Sequence, residues 1–163
     1  MNGRRALMMT LVMFFIGHLI YYYPHLPEKM ATHFGFNGEP DGWMSKSEFF
    51  VFEIGLLIFI VALFFSISYF LPKMPRGLIN MPNKDFRLAP ERRDETFRRL
   101  RSEIETFQIP LILLLICMNH LTFQANIYRE NLSPVSWLIV AAFLIYTFIW
   151  AFGFYKKFKI YEN

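Results

Sequence analysis

The chain has one cysteine, Cys117, so no disulfide can close within it and the redox state of its compartment leaves no mark on the sequence. An H-E-x-x-H helix signature and a G-x-S-x-G turn are both missing, no catalytic set stands out, and a non-enzymatic role is expected. Charged residues make up only 18%, against 55% hydrophobic and 19% aromatic, with a mean hydropathy of +0.30. A soluble domain usually holds about 45–50% apolar residues, so this balance points to a membrane as solvent. No internal repeat is evident.

The apolar residues gather in blocks separated by charged stretches. Four blocks, approximately residues 6–23, 49–71, 107–127 and 134–154, reach the ~20 residues that carry a helix across the ~30 Å hydrocarbon layer. The first ends in Tyr21-Tyr22-Tyr23-Pro24 rather than a small-x-small cleavage site, and so reads as a retained span, not a signal peptide. The expected fold is an all-α integral membrane protein with four transmembrane helices. Fourteen of the seventeen Lys and Arg residues fall in the N-terminal tail, the connection 72–106 and the C-terminal tail 155–163. Lys29, Lys46 and Arg129 are the exceptions. Because positive loops stay cytoplasmic, both termini are expected on the cytoplasmic side of the cell membrane and the 24–47 loop on the outer side. The net charge of +4 is then a topology signal that also favours anionic headgroups, and no nucleic-acid partner is expected.

Turn formers crowd the 24–47 loop, which is expected to be compact but irregular. Ser45 and Glu48 have capping-box spacing ahead of the second span. Ser133 at N-cap and Pro134 at N1 begin the fourth, and the short turn after Tyr128 makes the third and fourth spans antiparallel neighbours. Within the connection 72–106, Pro90 at N1 opens a charged cytoplasmic helix over about 90–106. Opposite charges at i, i+4 line it, including Glu95–Arg99 and Arg99–Glu103, with a narrow stripe of Phe97, Leu100 and Ile104. It either extends the third span or lies on the membrane surface, and the narrow stripe favours extension. Pro110 either kinks the third span or, lying close to its inner start, serves as a first-turn proline. Cys117 reads as a small packing residue.

The loop and its flanking spans carry Leu26-Pro27, His33-Phe34, Gly38-Glu39-Pro40-Asp41-Gly42 and Ser45-Lys46. This pattern resembles the bacterial family called domain of unknown function 1648, over about residues 12–60. A second stretch, residues 79–85 with 89–93, is similar to the segment that follows the domain in small members. The domain also occurs in immunity proteins that protect bacilli from a sporulation-delaying toxin and recruit a transcriptional repressor to the membrane. The resemblance therefore implies the domain, with an immunity-like or sensing role as one expectation. Phe36-Asn37 and Trp43-Met44 fall where that family varies.

Three sets of side chains invite a functional reading. In the loop, His25, His33, Glu39 and Asp41 are candidate ligands for zinc or another divalent cation, although turn and hydrogen-bonding roles weigh more and no cofactor is expected. Inside the spans, His18, Glu53 and His120 lie roughly 7–10 Å below the outer boundary, with Gln124 one turn beyond His120. Asn119, Thr122 and Asn126 form an adjoining strip, so this half of the third span should face protein. Either these groups line a polar pocket under the loop, which with His33 and Asp41 receives a peptide, a cation or a proton, or they are wet or interhelical hydrogen-bonding groups. The corresponding functions are a binding or sensing protein with a cytoplasmic partner at 72–106, a small oligomeric transporter using Glu53, and an accessory subunit of a larger complex.

Overall fold

The structure, a computed structural model, describes residues 3–159 and contains four helices long and apolar enough to cross a membrane. They are α1 (Gly3–Tyr22), α2 (Lys46–Phe70), α4 (Arg93–Tyr128) and α5 (Val135–Phe158), with a single helical turn, α3 (Lys84–Arg87), between α2 and α4. The chain is a multi-pass membrane protein by the length and composition of these helices. α4 is the hub, packing against α1, α2 and α5. Phe15, Leu19, Phe50, Leu57, Ile112 and Phe123 fill the seam between α1, α2 and α4.

Ser45 caps α2 as its spacing requires: its Oγ accepts from the Glu48 N–H at 3.2 Å, and the Glu48 carboxylate accepts from the Ser45 N–H at 2.9 Å. α5 begins one residue later than expected, with Pro134 at the N-cap position. Ser133 still serves the helix start, its Oγ accepting from Val135 N–H at 3.3 Å. α5 runs back along α4, where Trp150 meets Phe107 with ring centroids 4.5 Å apart.

The all-α expectation is corrected in the 24–47 loop. Strands β1 (Lys29–Phe34) and β2 (Pro40–Ser45) pair antiparallel around a five-residue turn. Pro40 and Gly42 disguise β2, since both residues usually count against a strand. Here Pro40 stands at the strand start, and Gly42 faces His33, whose Cβ lies 2.8 Å from where a Gly42 Cβ would sit. The register slips between Ala31 and His33 and again between His33 and Phe34, irregularities of the kind that locally bend and twist a strand.

The charged helix and the third span are one helix of 36 residues, about 54 Å long. The extension reading holds, but the start moves to Arg93, because the Arg92 and Arg93 N–H groups both bond the Ala89 carbonyl in a turn that takes up Pro90. Pro110 consequently stands inside α4 rather than in its first turn. Glu95–Arg99 forms along the helix, whereas Glu103 pairs with Lys157 at 2.7 Å and Glu105 with Arg5 at 3.3 Å. Glu103 and Glu105 thus meet cations on α5 and α1 instead of arginines on their own helix.

At this end, Ile79, Met81, Leu88, Phe97, Leu100 and Phe158 make a second core that fastens the connection onto α4 and the end of α5. Arginines cap the end of α2: Arg101 Nε donates to the Ser68 carbonyl at 3.1 Å and Arg93 Nη2 to the Pro72 carbonyl at 3.0 Å. Cations suit a helix C-terminus, where carbonyls lack helical partners. Cys117 is exposed on α4 and is not a packing residue.

Candidate functional site

The β-hairpin is held to the bundle at three points, and the residues that hold it define the candidate site. At its base, Lys46 is buried, with Nζ 2.9 Å from the Glu28 carboxylate, 3.3 Å from the Leu26 carbonyl and 4.8 Å from the Tyr23 ring centroid. Leu26 and Met30 point into the core between the helices. Along β1, the Asn126 side chain on α4 accepts from Ala31 N–H at 2.7 Å and donates to the Ala31 carbonyl at 2.8 Å. A side-chain amide thus takes the place of a neighbouring strand. At the tip, Gly38 carbonyl accepts from Leu132 N–H at 2.8 Å, and Phe36 lies on Trp137 with centroids 4.7 Å apart.

The motif residues account for this shape. Gly38 has φ +82, and a Cβ there would stand 2.7 Å from the Leu132 carbonyl oxygen, so only glycine lets the tip touch the α4–α5 turn. Pro27 follows the buried Leu26 where the chain leaves the 3-10 turn Tyr23–His25. Phe34 closes the register opposite Pro40.

Beneath the hairpin, the expected polar pocket divides between two seams. On the α1–α4 seam, His18 Nε2 is 3.4 Å from His120 Nδ1, the Tyr22 hydroxyl is 3.3 Å from the same nitrogen, and Gln124 Nε2 donates to Tyr22 at 3.2 Å. His120 is exposed while His18 and Gln124 are half-buried, so this cluster opens on the outside of the helix pair. Of the two polar strips of the third span, Asn119 and Asn126 are buried against protein, whereas His120 meets His18 and Tyr22 on α1 while remaining exposed. Glu53 is buried on the α2–α4 seam, where Asn119 Nδ2 donates to its carboxylate at 2.8 Å. A residue one position from His120 therefore serves a different neighbour, because successive helical residues point about 100° apart.

The metal candidates separate likewise. His33 Nδ1 bonds Asp41 across the hairpin, both side chains being exposed. His25 Nδ1 is 2.9 Å from the Tyr21 carbonyl, and Glu39 contributes backbone bonds to the turn. Among the described residues, no three His, Cys, Asp or Glu side chains converge on one point. Sequence reasoning singled out neither Asn126 nor Tyr22 for the site. Asn126 carried a signal, an amide on the helical strip with Asn119, whereas Tyr22 was indistinguishable from an interfacial anchor.

These features define a class: a four-helix membrane bundle whose central helix clasps a β-hairpin at one end and a basic connection at the other. Residues 8–58 match the family model described as Domain of unknown function (DUF1648), a match that runs from within α1 through the hairpin into the first half of α2. No curated protein and no solved structure matches the chain.

Proposed function

We propose that the chain is a ligand-binding or sensing protein of the cell membrane, of immunity type, that acts without catalysis. The hairpin end faces outward and meets a peptide or envelope component, both termini are cytoplasmic, and a cytoplasmic partner meets the basic connection 72–106. The carrying observation is Asn126 gripping Ala31 from α4, the same helix whose other end holds Phe97 and Leu100 in the second core. A ligand that favours one position of the hairpin would thereby favour one position of a single ~54 Å rod. His18, His120 and Gln124 form the open polar patch beside it, with His33 and Asp41 on the hairpin above.

Purified protein in detergent would be melted with membrane-active peptides or zinc, since binding to the folded state raises apparent stability. A peptide-induced rise that is lost in His120→Ala and Phe36→Ala supports the reading. A rise with zinc alone, lost in His33→Ala, replaces it with a metal-dependent site. No rise with either favours an accessory subunit.

A further inference from the structure

At the opposite end from the hairpin, a cavity of about 370 Å³ opens between α1, α2 and α4. Its inner wall is apolar, formed by Met8, Val61 and Phe64, while Met9, Phe65 and Tyr69 stand exposed at its lip. Arg4, Arg5 and Arg101 line one end together with a single acid, Glu105, leaving an excess of positive charge. The bonds these arginines make within the chain leave donors free. Arg4 uses Nη1 toward Ser102 and Thr106, Arg5 uses Nη2 toward Glu105, and Arg101 uses Nε toward Ser68. Each guanidinium carries five N–H groups.

Two further polar groups in this wall lack partners. Gln108 is 2% and Ser68 7% exposed, and neither Gln108 Nε2 nor Ser68 Oγ has a hydrogen-bond partner among the described residues. Buried donors are normally satisfied, so an orphaned pair beside a cavity points to an acceptor that enters it. An apolar slot with an open lip, buried donors at its back and arginines at its end matches the parts of one molecule.

We propose that this crevice binds an anionic glycerophospholipid from the leaflet at the basic end of the bundle. The phosphate sits among Arg4, Arg5 and Arg101, and an acyl chain lies against Met8, Val61 and Phe64. The ester oxygens accept from Ser68 and Gln108 once those side chains turn toward them. The site is distinct from the general attraction of basic loops to anionic membranes, because Arg98 and Arg99 on the same helix lie outside it.

The test is native mass spectrometry of the full chain released from mixed micelles of phosphatidylglycerol and phosphatidylcholine. Retention of one phosphatidylglycerol is expected, reduced about tenfold in the Arg4→Gln/Arg101→Gln variant, the effect of losing charge-assisted bonds. Retention should fall similarly in Val61→Trp, which fills the slot without touching a charge, and stay unchanged in Arg98→Gln/Arg99→Gln. Equal retention of phosphatidylcholine, or a loss matched by the Arg98/Arg99 variant, overturns the proposal. Competition by inorganic phosphate at millimolar concentration also overturns it in favour of a plain anion site.

Discussion

Asn126 satisfies both peptide groups of Ala31, accepting from its N–H and donating to its carbonyl, across 95 residues of chain. Through that pair the most irregular stretch of sequence is docked on the most regular element. Asn126→Ala should leave two buried backbone groups unpaired and cost about 2 kcal/mol or more. Thermal unfolding in detergent measures the loss, and faster hydrogen exchange confined to residues 29–45 would locate it. Unchanged exchange there would show that the clasp contributes nothing.

Gly38→Ala combines a left-handed backbone with a 2.7 Å approach to the Leu132 oxygen. The strain alone is worth about 1–2 kcal/mol. The expected result is release of the tip from the α4–α5 turn, read as lost exchange protection at Leu132 and as altered Trp137 fluorescence when Phe36 leaves its ring. Protection equal to that of the parent chain contradicts the contact.

Glu53 and Asn119 bridge α2 and α4 by a hydrogen bond that Gln can also accept. Glu53→Gln is expected to shift stability by less than about 1 kcal/mol, while Asn119→Leu strands the Glu53 carboxylate and costs more, since such interhelical bonds average about 0.6 kcal/mol even where the partner can adapt. Melting the two variants side by side checks the order. A larger loss in Glu53→Gln would mean that its charge is itself structural.

Membrane orientation has a direct readout. In a Cys117→Ser background, Phe36→Cys at the exposed hairpin tip should react with an impermeant maleimide on intact cells, and Asp85→Cys, at a side chain 98% exposed, should react only after lysis. The reverse pattern would invert the protein.

The number, length and order of the spans were legible in the sequence because hydrophobic runs report position along the bilayer normal, and the Ser45–Glu48 cap because it is a local contact. That His18 and His120 share one level along the bundle was legible too, from their count of residues to the ends of their helices, and the two rings do meet. Which way each residue faces was not, since lipid-facing and helix-facing positions are both apolar in a span and leave little periodicity to read. Only tertiary packing could send Asn119 to Glu53 and its neighbour His120 to His18, turn Cys117 outward, and pair Glu103 with Lys157. The hairpin escaped notice because its strands carry Pro40 and Gly42, residues that weaken an isolated strand. The bundle supplies what those residues withhold, through Asn126 on one edge and Leu132 at the tip.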